Sequence, residues 1–290
     1  KDSRLLAAGK DFGRVVVWNL PDHKFLCAID TGQGIVRAVG LSSDGQLMAT
    51  GGEGDRFSVK LWHLPDCALV RSYHYFNGYA HTLAFGPDGK WIVASDNASA
   101  THVLDSTADK QLLELKNQFA SILAPTGDML MTVDKANFHF WATSDWKEKR
   151  TFSRSPEYAF PLALNPDSDS FLITASGSFK LLRLSTGELL QNAPLPELPK
   201  FNLADGGFAA FGGNNTIFGH SDDRLWMWDT GKAQTCISEL MYSESGALSS
   251  DGALLAGAKD NSVFAKERSG DGVWIWDTSK LRAKCFGTKE

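Results

Sequence analysis

Short runs in which apolar and polar residues alternate occupy the whole chain, and the end of one such run recurs seven times. The recurring run ends lie 37 to 48 residues apart, 43 on average. They are Val17-Trp18, Leu61-Trp62, Val103-Leu104, Phe140-Trp141, Leu181-Leu182, Met227-Trp228 and Ile275-Trp276. Alternation over four to eight residues indicates half-buried β-strands, and a fixed period of this length indicates a repeat architecture. The chain is therefore predicted to be all-β, with seven similar repeats.

Turn residues divide the repeats at similar places. Every run end after the first is preceded by a turn such as Ser43-Asp44-Gly45 or Pro87-Asp88-Gly89, and each is followed by another, such as Pro65-Asp66 or Thr230-Gly231. Pro presets φ near −65° and Gly accepts positive φ, so these sites can reverse the chain between strands. Four short strands per repeat are predicted, as in the blades of a propeller.

Two repeats end in residues that resemble a known family. The segments Trp228-Asp229-Thr230-Gly231-Lys232 and Trp276-Asp277-Thr278-Ser279-Lys280 are similar to the ends of WD repeats. The resemblance implies a seven-bladed β-propeller of four-stranded antiparallel blades, each with its inner strand along a central channel. Residues 1–290 are accordingly expected to form a single β-propeller domain.

The repeats also depart from the family. Only two of the seven have the Trp-Asp pair, and the Gly-His pair that precedes the inner strand in the family is absent from these connections. Gly219-His220 instead follows a strand. The family's His-Asp-Ser-Trp hydrogen-bond network is therefore not expected to form, and apolar packing should contribute more to the cohesion of the blades.

The two ends of the chain carry a further expectation. The first repeat begins at a second strand, Arg4 to Ala8, so the first blade lacks its inner strand, whereas the last repeat continues to an outer strand at Arg282 to Phe286. An unpaired neighbouring strand is a liability that proteins normally cover. We expect the chain to be a segment of a longer protein, with the missing strand upstream of Lys1. An additional upstream domain in the same chain is compatible with this expectation.

The composition and the net charge limit the classes of binding partner that are expected. The 290 residues are 43% hydrophobic and carry a net charge of −5, which is too mild to indicate a nucleic-acid partner. No apolar run is long enough to cross a membrane. We expect neither nucleic acid nor membrane as a partner.

The four cysteines fall at outer-strand positions without C-x-x-C spacing: Cys27, Cys67, Cys236 and Cys285. We interpret them as buried free thiols rather than as a metal site or a disulfide framework. Free thiols favour a reducing compartment, so a cytoplasmic location is expected. A periplasmic or secreted location remains the alternative.

The chemistry of an enzyme is not indicated. The sequence has no G-x-S-x-G, no phosphate-binding G-x-x-x-x-G-K-[ST] and no H-E-x-x-H motif. We expect no catalytic residue, no metal and no cofactor. The alternative is a propeller enzyme or small-ligand binder that works in the central channel, with export from the cell as part of this alternative.

A binding surface is predicted where the connections into the inner strands meet one rim of the propeller. Aromatic and charged residues recur at equivalent places in these connections, and one long insertion adds Phe264. The predicted partner-binding residues are Arg37, Tyr79, His81, Tyr158, Phe160, Tyr242, Glu244 and Phe264. Aromatic anchors with a polar border are typical of protein interfaces, although such rings also pack under neighbouring loops. The expected function is a non-catalytic interaction, scaffolding or sensing module for a protein or peptide partner.

Overall fold

The computed structural model describes most of the chain. The described residues are 4–9, 11–22, 24–54, 58–118, 120–154, 159–165, 169–175, 178–194, 208–212, 215–221, 224–240, 246–249, 252–259 and 272–287. They form two compact units, residues 1–155 and residues 156–290.

The first unit contains four antiparallel sheets in chain order. Blade 1 has three strands, β1 (Leu5–Gly9), β2 (Arg14–Asn19) and β3 (Lys24–Asp30). Blade 2 has β4 (Val36–Leu41), β5 (Leu47–Gly52), β6 (Val59–His63) and β7 (Ala68–Tyr73). Blade 3 has β8 (Ala80–Phe85), β9 (Trp91–Asp96), β10 (Ala100–Asp105) and β11 (Gln111–Lys116). Blade 4 has β12 (Ala120–Leu123), β13 (Met129–Val133), β14 (Asn137–Ala142) and β15 (Lys147–Ser153).

The second unit contains three antiparallel sheets and one helix. Blade 5 has β16 (Phe160–Asn165), β17 (Ser170–Ala175), β18 (Ser178–Arg183) and β19 (Leu189–Pro194). Blade 6 has β20 (Phe208–Gly212), β21 (Thr216–Ser221), β22 (Arg224–Asp229) and β23 (Gln234–Leu240). Blade 7 has β24 (Gly246–Leu248), β25 (Leu254–Lys259) and β26 (Gly272–Asp277), followed by helix α1 (Thr278–Phe286).

These seven sheets are the blades of a seven-bladed β-propeller, which confirms the predicted fold class. The described part of blade 1 has three strands and begins at the predicted second strand. Turn glycines at the predicted sites Gly45, Gly89, Gly127 and Gly252 all have φ between 70° and 76°. The positive φ is the physical reason that glycine occupies these turns. Whether the chain forms one domain stays a prediction.

The recurring run ends coincide with β-bulges in five of the blades. In blades 1 to 5 the pairing of the third strand with the outer strand shifts between the two residues of each run end, as at Val17/Trp18 and Leu61/Trp62. Such a β-bulge increases the local twist of the strand. In blade 6 the shift lies earlier, at Leu225/Trp226.

Apolar side chains from successive blades share each core cluster. Val15 and Val17 of blade 1 pack in one cluster with Met48 and Trp62 of blade 2. In the second unit Phe179 of blade 5 packs with residues of blade 6, including Trp226, whose ring centroid lies 4.1 Å away. Run-end residues such as Val17, Trp62 and Trp228 thus belong to the inter-blade core of their unit, as the sequence predicts, whereas Ile275 is 39% exposed.

Hydrogen bonds supplement this packing in two blades. The indole Nε1 of Trp62 donates to Oγ1 of Thr50 at 2.9 Å, and that of Trp141 donates to Oγ1 of Thr132 at 2.8 Å. Blades 2 and 4 therefore each contain a Trp–Thr hydrogen bond. It stands in place of the four-residue His-Asp-Ser-Trp network of the family, which the sequence did not predict for this chain.

The last segment of the chain corrects one prediction, because Arg282 to Phe286 are helical rather than an outer strand. The Asp277 carboxylate accepts hydrogen bonds from the backbone N–H groups of Ser279 and Lys280, so Asp277 is the helix N-cap. Gly287 follows the helix with φ 79°, and its N–H donates to the carbonyl of Ala283. The cap and the helix-forming residues between these ends favour a helix locally.

The cysteines correct a second prediction. Cys27 forms a disulfide with Cys67, and Cys236 forms one with Cys285, so the interpretation as free thiols is wrong. Each disulfide joins two consecutive blades, whose outer edges are neighbours although the cysteines are 40 and 49 residues apart in sequence. Spacing within a local motif cannot reveal a link of this kind.

Candidate interaction surface on the first unit

The residues at the start of two inner strands are placed by β-bulges. The pairing of β4 with β5 shifts between Val36 and Ala38, and the pairing of β8 with β9 shifts between Ala80 and Thr82. The extra residues at these bulges are Arg37 and His81, which the sequence places at equivalent positions. Bulges redirect a side chain relative to the regular alternation of a strand.

Gln33 anchors the connection that leads into β4. Its side chain is fully buried, and Nε2 donates to the carbonyls of Thr50 at 3.2 Å and Ser58 at 2.6 Å. Its Oε1 accepts from the hydroxyl of Thr50, which also accepts from Trp62. A buried amide with these partners fixes the connection to the body of blade 2.

Two glycines allow the connection to lie directly against the loop after β5. The N–H of Gly54 donates to the carbonyl of Gln33 at 2.6 Å, and the N–H of Glu53 donates to that of Ile35 at 3.1 Å. A Cβ at Gly52 would lie 2.5 Å from the carbonyl oxygen of Ile35, and one at Gly54 would lie 2.7 Å from the carbonyl carbon of Gln33. Residues with side chains would separate the two segments.

Phe12 is presented to solvent by the turn between β1 and β2. Its side chain is 93% exposed, and its φ of 62° lies in the left-handed region that non-glycine residues rarely adopt. The turn is held in place because the carbonyl of Gly13 accepts hydrogen bonds from both the N–H and the hydroxyl of Thr31. A large apolar side chain is therefore displayed on a well-anchored turn.

Arg37 connects a carboxylate of its own blade to an aromatic ring of the next blade. Nε and Nη2 of Arg37 donate to Oε1 of Glu53 at 2.8 and 2.5 Å. The guanidinium carbon lies 5.7 Å from the ring centroid of Tyr79, within the range of a cation–π contact. Glu53, Arg37 and Tyr79 thus form a continuous row across blades 2 and 3.

A depression of about 520 Å³ lies beside this row and is lined by Phe12, Gly34, Ile35, Glu53 and Gly54. We call Phe12, Ile35, Arg37, Glu53 and Tyr79 the rim surface. It combines an exposed ring, an aliphatic side chain and two glycines with a charged border. This is the composition of a protein-binding site with an apolar centre.

The structure describes only four of the eight predicted partner-binding residues, and it places them in different surroundings. The structure brings Arg37 and Tyr79 together and places His81 at the equivalent bulge of blade 3. Phe160 begins β16 in the second unit and is 38% exposed. Four predicted residues lie outside the described part of the chain: Tyr158, Tyr242, Glu244 and Phe264. Their role in binding stays a prediction.

Phe12, Ile35 and Glu53 are the rim-surface residues that are not among the predicted partner-binding residues. Phe12 lies in the turn between the second and third strands of its blade, followed directly by glycine. An aromatic residue in a short turn is the signal that identifies it. Glu53 lies in the turn after β5, where acidic residues are common, and only the folded chain places its carboxylate within reach of Arg37.

The histidines of blades 3 and 4 serve their own blades. His102 is fully buried, with Nδ1 hydrogen-bonded to Oε1 of Gln111 at 3.0 Å and Nε2 lying 3.5 Å from Oδ2 of Asp96. Burial by itself raises the pKa of Asp96, but the adjacent His102 ring and hydrogen bonds from the N–H groups of Ala100 and Asn77 outweigh it and leave this pKa below its ordinary value. The pair fastens the turn after β9 to β10.

His139 occupies the equivalent place in blade 4, between Asp134 and Glu148. Among the residues that the structure describes, no three His, Cys, Asp or Glu side chains are grouped to hold a metal ion. Within the same described ranges, no helix is long and apolar enough to cross a membrane.

Comparison with known proteins supports the sequence resemblance. No family model matches the chain. MST50-interacting protein 11 of Pyricularia oryzae and small ribosomal subunit protein RACK1 of Neurospora crassa are each 31% identical to it over 108 residues, 37% of this chain and 33% of theirs. Small ribosomal subunit protein RACK1y of Oryza sativa subsp. japonica is 32% identical over 85 residues, 29% of this chain and 24% of its own.

The matches thus span about a third or less of the length of these relatives. The relatives are WD-repeat proteins, and together with the seven blades they confirm the resemblance to WD-repeat propellers.

Proposed function

We propose that this WD-repeat-type propeller is a non-catalytic module that binds a peptide segment of a protein partner at the rim surface. One observation carries the proposal. The ring of Phe12, 93% exposed, stands beside a depression lined by Ile35 and two glycines. Leaving a large apolar side chain in water is unfavourable, and its burial by a partner provides binding energy.

The charged residues at the border of the rim surface can influence which partner binds and how fast it associates. Arg37 and Glu53 are each about one third exposed, at 36% and 35%, and Arg37 also faces the ring of Tyr79. A partner that covers the apolar centre leaves this ion pair at the margin. Charges at the margin of an interface mainly affect the association rate and the choice of partner.

The names of the relatives agree with such a role. One is called an MST50-interacting protein, and two are called proteins of the small ribosomal subunit. We extend to this chain only the general function of binding another macromolecule, because the matched regions cover a minority of each protein. The scaffolding or sensing role, and a protein or peptide as partner, belong to the same proposal.

Peptide selection tests the proposal. A random peptide library is selected on the immobilised chain, and the dissociation constant of the best peptide is measured by fluorescence anisotropy. Phe12→Ala is expected to weaken binding at least about tenfold, because truncation of an aromatic anchor typically costs more than 1 kcal/mol.

Phe25→Ala is the matched control. Phe25 is also an exposed phenylalanine, at 60%, but lies on the outer strand β3. Its substitution should leave the affinity unchanged. Equal affinities of the wild type and the Phe12→Ala protein for every selected peptide would contradict the assignment of the rim surface.

A further inference from the structure

The two disulfides have the same arrangement in the two units. Cys27 lies opposite Val17 in the outer strand of blade 1, and Cys236 lies opposite Met227 in the outer strand of blade 6. Val17 and Met227 are both the first residue of a run end, so the two cysteines occupy equivalent positions. Each bonds to a cysteine at the outer edge of the following blade, Cys67 or Cys285.

Each link involves a blade with three strands in the described part of the chain: Cys27 lies in β3 of blade 1, and Cys285 lies in helix α1, which follows β26 of blade 7. In the described part of the chain, blade 1 has β1, β2 and β3, and blade 7 has β24, β25 and β26. The disulfides attach these two sheets to their four-stranded neighbours, blade 2 and blade 6. A smaller sheet buries less apolar area, and closing loops of 40 and 49 residues restricts the unfolded chain.

All four cysteines of the sequence are used in this way, and none is free. Partly buried Cys27 and Cys67 pack with the blade 1–2 core cluster, and Cys236 and Cys285 pack with the blade 6–7 cluster. Two independent links, each starting from the same position of an outer strand, indicate a selected feature rather than a chance approach of thiols.

We propose that the protein matures and works in an oxidising compartment with both disulfides formed, and that each disulfide is a latch that holds two consecutive blades together. Structural disulfides persist in the periplasm, the endoplasmic reticulum and the extracellular space, and are rare in the cytosol. The expectation of a cytoplasmic location rested on free thiols, and that premise is removed.

The chemistry of maturation is thiol–disulfide exchange. The thiolate of one cysteine attacks a disulfide of an oxidoreductase of the compartment, and a mixed disulfide forms as one thiol of the oxidoreductase leaves. The second cysteine displaces the other. The pair loses two electrons and two protons, and the oxidoreductase disulfide is reduced to two thiols.

Thiol trapping in cells that naturally make the protein tests the compartment. Cells are quenched with acid, free thiols are alkylated under denaturing conditions, and the chain is analysed by mass spectrometry. We expect no alkylated cysteine and peptides that link Cys27 to Cys67 and Cys236 to Cys285. Alkylation of either pair in most molecules, or any other pairing, would overturn the proposal.

Thermal unfolding of the purified chain tests the latches. A reductant is expected to lower the unfolding midpoint of the wild type by about 5 °C or more. A chain with all four cysteines changed to serine is the control, and its midpoint should be low and insensitive to reductant. A reductant that leaves the wild-type midpoint unchanged would refute the latch. Neither measurement depends on the rim surface, so the two proposals can fail separately.

Discussion

Gly219 shows how one residue decides the packing of a blade. A Cβ at this position would lie 2.0 Å from Cζ2 of Trp226, which pairs with it across β21 and β22. In blades 2 and 4 the equivalent residues are Thr50 and Thr132, and each accepts a hydrogen bond from a tryptophan. In blade 6, Gly219 stands where blades 2 and 4 have this threonine, and the indole of Trp226 occupies the space beside it.

The exchange leaves a buried donor without a partner. Nε1 of Trp228 has no hydrogen-bond acceptor among the described residues, and the same holds for Nε1 of Trp226. An unpaired buried N–H is unfavourable by about 1 to 3 kcal/mol. The apolar contacts of two fully buried indoles offset this cost.

Replacement of Gly219 by alanine should therefore destabilise the protein. Inserting a methyl group into a packed core costs about 1 to 3 kcal/mol. Gly40→Ala is the matched control, because a Cβ in that strand would meet no atom closer than the Leu83 carbonyl oxygen at 3.4 Å. Urea midpoints of the two variants are to be compared, and equal midpoints would contradict the packing argument.

Helix α1 takes the place that an outer strand has in six other blades. It is attached to blade 6 as well as to its own blade. Nη2 of Arg282 lies 3.1 Å from the buried carboxylate of Asp229, and Nζ of Lys232 donates to the carbonyl of Phe286 at 3.3 Å. The disulfide from Cys285 adds a covalent link to the same blade.

The aspartates of the two Trp-Asp pairs accept similar hydrogen bonds but precede different secondary-structure elements. Asp229 accepts hydrogen bonds from the N–H groups of Gly231 and Lys232 in a turn that precedes a strand. Asp277 accepts from the equivalent N–H groups of Ser279 and Lys280 but begins a helix. The same local motif is compatible with both continuations.

Removal of the helix cap provides a test of this element. Asp277→Ala should lower the free energy of unfolding by about 1 kcal/mol, the usual cost of losing an N-cap acceptor. Asp277→Asn retains an acceptor oxygen and should cost only a few tenths of that. Urea unfolding followed by far-UV circular dichroism measures both. A larger loss in the Asn variant than in the Ala variant would contradict the assigned cap.

Across the molecule, the core is distributed over clusters that each join consecutive blades within a unit. Such a chain is stabilised by interfaces between neighbouring repeats. The sequence places aromatic residues at equivalent positions in several of the connections between repeats. This regularity motivates the prediction that binding uses more than one connection.

The extent of the binding site can be tested with three tyrosines that the sequence places at equivalent positions, Tyr79, Tyr158 and Tyr242. Each is changed to alanine and assayed with the peptide selected on the wild type. We expect a severalfold loss of affinity for each folded variant, because tyrosines are frequent anchors at interfaces. Undiminished binding of the Tyr158 and Tyr242 variants would confine the site to the first unit.

The pattern of apolar residues and turn residues was sufficient to predict the seven repeats and their strands. Alternation fixes which side chains of a strand face the neighbouring blade, and a glycine in a turn between two strands, such as Gly45 or Gly89, indicates positive φ there. Both signals are local, so the seven sheets and the three described strands of blade 1 were predictable. The rim surface was only partly predictable, because Phe12 and Glu53 approach Ile35 and Arg37 through folding.

Two features depended on the tertiary structure. Cys27 and Cys67 are 40 residues apart, about one repeat, and only the packing of consecutive blades makes them neighbours. The turn motif at Asp277 begins a helix, although the same motif at Asp229 precedes a strand, so the motif does not by itself select the element. The helix is attached to blade 6 by the Arg282–Asp229 ion pair and by the disulfide from Cys285, which are contacts between residues distant in the sequence. Short-range patterns therefore determine the strands of this protein, whereas contacts between distant residues decide its cross-links, its final element and the composition of its rim surface.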